Sequence, residues 1–347
     1  MRKWIFSVVL ALLAIAAVLS SSKFFQPRPE PVTKSSVENI TEPPTRFNVA
    51  VASEEPVNAP DVDSKRLMAH VQALNYKRYT QQERDRAKNY LTQSLQKLGW
   101  SPNLQQFEGG VNILATRQGT DKQAGTIIVA AHYDSVPASP GADDNASGVA
   151  VVLELARLFA SRPTPRTLQL VFFDQEEAGL RGSIAFTTNK ANLQNLHGVI
   201  VMDMVGYACY TAGCQKYPPG LPVTPPTDKG DFLAVVGDIE HLPLLDVFQK
   251  PGKPGLPTVV TLPIPLKGML TPDVLRSDHA PFWYQGVGAV LVTDTANLRT
   301  PHYHQPSDTP ENLDRSFFQG AAQIVINTTT ALLESRELLK SPPSTTP

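Results

Sequence analysis

The chain is poor in cysteine and in charge. Two cysteines in 347 residues cannot staple a disulfide-held mini-scaffold, and a chain of this length does not need one. Charged residues make up 18%, below the usual quarter, and Lys+Arg 31 against Asp+Glu 32 leaves a net charge of −1. The basic footprint that neutralises phosphates is missing, which argues against nucleic acid as a partner. An acidic disordered chain is excluded too, because 41% hydrophobic residues suffices for a core. The excess is in proline, with 31 residues, about 9% against an average near 5%. The length allows one large α/β domain or two small ones.

The ends of the chain account for part of that proline. Arg2 and Lys3 precede an apolar run from Trp4 to Leu19, followed by Ser20, Ser21 and Ser22. A basic start, an apolar stretch and small residues is the pattern of a secretory signal. The run is shorter than the about 20 residues of a membrane span. Residues 1–22 are therefore expected to be a signal peptide or a membrane anchor, with the rest of the chain exported: secreted, periplasmic or tethered to a membrane. Residues 23–62, with segments such as PRPEPVTKSS and TEPPTRFN, read as a Pro/Ser/Thr-rich linker. Residues 339–347 read as a disordered tail.

Between these ends the pattern alternates. Helices are predicted at Ser64–Leu74, Gln82–Leu98, Asn145–Ala160, Gly182–Thr188 and Ser316–Leu333, with another near Leu242–Gln249. Apolar runs at Thr126–Ala131, Leu168–Phe173, Val199–Met202, Phe232–Val236, Val259–Leu262 and Ala289–Thr293 read as strands. Strands interleaved with helices imply a single three-layer α/β/α domain over 63–338 with a central, mostly parallel mixed sheet. In such sheets sites form at the carboxyl ends of the strands.

Polar residues gather at those ends. His132, Tyr133 and Asp134 follow the first run, Asp174-Gln175-Glu176-Glu177 the second, and Asp203 the third. The segment GADDNASG, Gly141–Gly148, lies between the first two, and His302-Tyr303-His304-Gln305-Pro306-Ser307-Asp308 comes late in the chain. One acidic residue beyond a strand is commonly a helix cap or a turn. Several carboxylates in one crevice repel one another unless cations neutralise them. His, Asp and Glu without thiols suit zinc or another first-row divalent metal. The residues alone thus give a metal centre with more than one ion and leave the reaction open.

Together, H-x-D, GADDNASG, E-E-x-G-L-x-G-S, the aspartate of V-M-D-M-V-G and Y-H-x-P-x-D-T resemble the M28 family of zinc-dependent exopeptidases, in family order. The resemblance covers about Asp63 to Leu338 and implies the zinc-exopeptidase (phosphorylase/hydrolase-like) fold and peptide substrates. It implies two zinc ions bridged by Asp144, chosen over its neighbour Asp143. His132 and Asp203 would complete one site, and Glu177 and His304 the other. Asp134 resembles the carboxylate that orients His132, and Glu176 the general base. Tyr303 resembles a tyrosine that supports the tetrahedral oxyanion, unless it serves only as an aromatic pocket wall. Arg276, Ser277, Asp278 and His279 resemble pocket-lining residues, although Ser277 or Asp278 could instead cap the following helix. A Ser277/His279/Asp278 triad fails, because adjacent residues cannot face one another as a triad requires.

The proline-rich stretch 207–275 is expected to act as an insert covering the pocket. Cys209 and Cys214 fall within it, and in an exported protein they could close a local disulfide. A site rich in carboxylates favours a free N-terminal amine, hence an aminopeptidase. A carboxypeptidase would use cations such as Arg181, Arg276 or Arg299. A glutaminyl cyclase would use the same scaffold with one zinc. An inactive binding ectodomain should have lost ligands, and none is missing.

Overall fold

The computed structural model describes residues 48–49, 58–218, 226–249 and 255–336. The segment 1–22, the tail 339–347 and all of the linker 23–62 except 48–49 and 58–62 lie outside these residues. The strands are β1 (Asn48–Val49), β2 (Asn103–Phe107), β3 (Gly110–Arg117), β4 (Thr126–His132), β5 (Thr167–Phe173), β6 (Leu196–Met202), β7 (Phe232–Asp238), β8 (Thr258–Ile264) and β9 (Ala289–Thr293). They form one sheet in the order β1-β8-β7-β9-β6-β4-β5-β3-β2. At its centre β5, β4, β6 and β9 are parallel. On one side β3 and β2 add as an antiparallel hairpin. On the other, β7 and β8 run parallel to each other but antiparallel to β9, and β1 is antiparallel to β8.

The helices are α1 (Ser64–Ala73), α2 (Gln81–Lys97), α3 (Gly148–Leu158), α4 (Arg181–Thr188), α5 (Leu242–Phe248), α6 (Ala280–Tyr284) and α7 (Arg315–Glu334). Their starts are written locally. The Asp63 carboxylate accepts from the Lys65 amide at 2.9 Å, Thr80 and Glu83 form a reciprocal capping box, and Asp314 accepts from the Phe317 amide at 2.9 Å.

β4 explains the layers. In its parallel surroundings it is buried on both faces and reads as a continuous apolar run. Ile127, Val129 and Ala131 pack into a core that includes residues of α1, α2, α3, α5 and α7. Ile128 and Ala130 point the other way, toward Phe186 of α4 and Phe282 and Trp283 of α6. Phe186 meets Phe173 and Phe282 at ring distances of 5.8 Å. Side chains of this size contribute about 1.5–3 kcal/mol each on burial.

Two features differ from the sequence-based expectation. The β2–β3 hairpin has no counterpart in the apolar pattern, because β2 is a half-exposed edge strand with polar residues at most positions. The helix expected from Asn145 begins only at Gly148, since Asp144 and Asn145 leave helical angles in the preceding turn. The strands expected at Phe232–Val236 and Val259–Leu262 are β7 and β8 of the sheet, while other residues of 207–275 line the pocket. On the α4/α6 side, Phe232, Ala234, Val236, Val260 and Leu262 form one wall of a cavity of about 680 Å³ that reaches the central strand ends.

Candidate metal centre

Because β4, β5, β6 and β9 are parallel, their carboxyl ends share one sheet edge. His132 is the last residue of β4, Glu176 and Glu177 follow β5, and Asp203 follows β6 at once. Asp144 enters from the turn before α3, and His304, in the left-handed region at φ 59°, from the loop between β9 and α7. Two clusters result, His132–Glu176–Asp203 and Asp144–Glu177–His304, each with its ligand atoms within 4.8 Å of one another. His132 Nε2 is 3.5 Å from Asp203 Oδ1 and 3.3 Å from Asp144 Oδ1. His304 Nε2 is 3.1 Å from Glu177 Oε2 and 3.2 Å from Asp144 Oδ2. A third group, Asp238–Glu240–His241, is already engaged: His241 Nδ1 bonds Asp238 at 2.8 Å and Glu240 pairs with Lys267 at 3.4 Å.

The supporting contacts are as ordered as the clusters. The Asp134 carboxylate accepts from the Glu176 amide at 3.0 Å and the Glu177 amide at 3.2 Å. Its Oδ1 also lies 3.4 Å from His132 Nδ1. One buried side chain therefore orients a histidine and the paired glutamates together. Asp308 does the same for the turn before α3, accepting from the Asp143 amide at 2.8 Å and the Asp144 amide at 3.1 Å. It is the aspartate of the Y-H-x-P-x-D-T segment, whose spacing alone discloses no such role. Arg78, fully buried, donates to the carbonyls of Tyr133 and Gly141 at 2.8 Å. No motif announces it. Asp143 faces away from the clusters, accepting from the Gly206 amide at 2.9 Å.

The electrostatics call for cations. Burial, reinforced by the charges of Asp203 and Asp278, raises Glu176 well above the usual carboxylate range. Burial and the Asp144 carboxylate push Glu177 up to about 7. Burial would lower His304, but its contacts with Asp144 and Glu177 prevail and push it up to about 10. On the side that faces the clusters, Nε2 of His132, Nε2 of His304 and Oε1 of Glu177 are buried without a hydrogen bond. Leaving such groups unsatisfied costs about 1–3 kcal/mol each. Nitrogen and oxygen donors with no thiolate, at these separations, fit zinc.

The remaining expected residues separate by position. Tyr303 lines the cavity, stacks on the His304 ring at 3.8 Å, and its Oη accepts from Arg276 Nη2 at 2.8 Å. Arg276 and Ser277 line the cavity. Asp278 and His279 do not. Both are fully buried behind it, with His279 Nε2 2.8 Å from the Val274 carbonyl and its ring edge-on to Trp283. Burial moves them in opposite directions, Asp278 up to about 7 and His279 down to about 4. Neither Ser277 nor Asp278 caps α6. Cys209 and Cys214 form a disulfide, adjacent to Gln215 on the cavity wall.

Known proteins resemble this chain in sequence and in fold. The chain is 35% identical over 226 residues to "Uncharacterized protein YfbL" of Escherichia coli, covering 60% of this chain and 67% of that protein. It is 41% identical over 87 residues to "Aminopeptidase YwaD" of Bacillus subtilis, covering 24% of this chain and 19% of that one. Among solved structures, an aminopeptidase from Aneurinibacillus sp. strain AM-1 superposes with a TM-score of 0.59 over 81% of this chain and 96% of the other. At 18% identity that likeness concerns the fold. The profile of Peptidase family M28 matches residues 112–329. That match spans more than half of the chain and includes both clusters from His132 to His304: the chain belongs to peptidase family M28.

Proposed function

We propose that the chain is an exported two-zinc aminopeptidase. The observation that carries this is Asp144, whose Oδ1 lies 3.3 Å from His132 Nε2 and whose Oδ2 lies 3.2 Å from His304 Nε2. One carboxylate turned to two histidines of separate clusters is what a bridging ligand requires. His132, Asp144 and Asp203 would hold one ion, and Asp144, Glu177 and His304 the other. When bound, the two zincs would supply Lewis acidity and a water of lowered pKa.

The chain's own groups do the rest. Glu176 follows directly on the turn from β5, and its backbone is pinned by Asp134. Its carboxylate takes the proton of the attacking water and delivers it to the leaving amine. Its neighbour Glu177 is left to hold metal. Tyr303 accepts from Arg276, so its own hydroxyl proton is available to the tetrahedral oxyanion. Asp144, Glu176, Glu177 and Asp203 line one end of the cavity, which suits the protonated amine of a peptide N-terminus. Of the cations that a carboxypeptidase would need, only Arg276 lines the cavity. Arg181 donates to the Glu108 carbonyl, Arg276 to Tyr303 and Asn297, and Arg299 to Gln215 and the Phe232 carbonyl. The likeness to an aminopeptidase of Bacillus subtilis points the same way.

The purified protein should carry two zincs per chain, release N-terminal residues from peptides, lose activity to a chelator and regain it with zinc. Glu176→Gln should keep both ions while kcat falls by about 10²–10⁴. A variant as active as the wild type would remove Glu176 as the base. One zinc per chain with cyclisation of N-terminal glutamine would replace the peptidase by a glutaminyl cyclase.

A further inference from the structure

Large apolar side chains are not left evenly over the surface. Among the described residues, six of the ten most exposed are Ile239, Leu242, Leu266, Met269, Leu270 and Tyr284, with exposures between 39% and 74%. They gather at one corner. The turn Ile239–His241 follows β7, the turn Pro265–Gly268 follows β8, and the two turns pack against each other. α5 begins at Leu242 and α6 ends at Tyr284, and these helices pack against the first and second turn respectively. Leu266 and Lys267 both adopt the left-handed region, at φ 52° and 51°. Non-glycine residues rarely hold it, and two in succession mark a turn maintained against local preference. Exposed apolar clusters of this kind mark contact surfaces.

The topology supplies the partner. β7 and β8 run opposite to β9, β6, β4 and β5, so their carboxyl ends lie at the sheet edge opposite His132, Glu177 and Asp203. β1 is antiparallel to β8, with Asn48 opposite Thr261 and Val49 opposite Val260. The amino end of β1 therefore faces the carboxyl end of β8, where the corner begins. The 47 residues before β1 contain the basic start and the apolar run Trp4–Leu19. Within the two turns Lys267 and Glu240 pair at 3.4 Å and His241 is bonded to Asp238, so neither turn presents an unpaired charge.

We propose that this corner rests on a lipid bilayer, beside the point where the N-terminal segment leaves the fold, with the metal-bearing edge of the sheet turned away from the membrane. This rests on reading Trp4–Leu19 as a membrane-directed segment. A contact driven by apolar area depends little on salt or on anionic lipid.

The test uses the full chain carrying Met269→Cys, labelled there with an environment-sensitive maleimide dye; the native cysteines are bonded to each other. With phosphatidylcholine vesicles the emission should shift to the blue and gain several-fold in intensity, equally with or without phosphatidylglycerol. The same label at Leu104→Cys, on edge strand β2 at the far end of the sheet, should not respond. Leu266→Ser with Leu270→Ser, in the Met269→Cys background, should abolish the shift while hydrolysis of a soluble leucine anilide is unchanged. No response at Met269, an equal response at Leu104, or a shift that needs only higher protein concentration overturns the proposal, the last in favour of a second copy of the chain. The dye reads contact without catalysis, so failure of the peptidase assignment would leave this result standing.

Discussion

Replacing Asp134 by Asn tests how far the centre depends on a residue that need touch neither metal nor substrate. Asp134 is 4% exposed: Oδ1 accepts from the Glu176 amide and lies 3.4 Å from His132 Nδ1, and Oδ2 accepts from the Glu177 amide. Asparagine has the same shape and one oxygen. If the oxygen takes the Oδ1 position, the new NH₂ opposes the Glu177 amide. If it takes the Oδ2 position, the NH₂ opposes both His132 and Glu176. Either way a charge-assisted hydrogen bond is lost and a buried donor is left facing another donor. The loss amounts to about 1.5–3 kcal/mol, roughly a ten- to hundred-fold change, and falls within the range for groups that orient a metal ligand. The assay is the zinc dissociation constant against a competing chelator, with kcat at saturating zinc and a melting curve beside it. The expected result is weaker zinc binding, with a smaller fall in kcat once zinc saturates. Wild-type zinc affinity and rate in a folded Asp134→Asn protein would refute the orienting role.

Tyr303→Phe removes the hydroxyl that accepts from Arg276 and keeps the ring on His304. kcat should fall by about 10²–10³ with little change in KM, whereas a mere pocket wall would move KM. Zinc must displace the proton that keeps His304 charged up to about 10 and, below about 7, that of Glu177. Zinc affinity should therefore rise about tenfold per pH unit between 7 and 10 and more steeply below 7, with proton release measurable by calorimetry in two buffers; a flat profile would contradict it. The sign is opposite for the stability of the metal-free protein. The folded His304 value lies above its ordinary 6.5, so its ion pairs contribute fully below that pH and are lost as pH rises toward 10. Melting in chelator should be lower at pH 10 than at pH 6.5. Removing the disulfide with Cys209→Ser and Cys214→Ser opens a very short loop, with a separation of 5, and should cost about 2 kcal/mol in denaturant unfolding.

What is legible in the chain is what local periodicity encodes. Apolar runs such as Thr126–Ala131 and Leu168–Phe173 mark strands buried on both faces, and alternation with helices implies a parallel centre. Residues following such strands must then meet at one edge, so His132, Glu177 and Asp203 group together on sequence grounds. The β2–β3 hairpin escapes because a half-exposed edge strand carries almost no apolar signal. Asp308 escapes because its role is to bond two backbone amides 164 and 165 residues away, and a sequence pattern does not display backbone N–H direction. Asp278 and His279 stay out of the lining of the metal-site cavity for a related reason: a motif gives their spacing, and only packing of α6 against the sheet sends them behind the cavity wall.

By itself the sequence determined the layers, the edge of the sheet that bears the chemistry and the donor types gathered there, because strand and helix periods and ligand chemistry are properties of short segments. Only the tertiary structure decided that Asp144 turns one oxygen to each histidine, that Asp134 also pins the backbone of both glutamates, and that six apolar side chains from separate elements lie exposed at one corner. These depend on side-chain directions and on contacts between residues far apart in the chain, which no local period records.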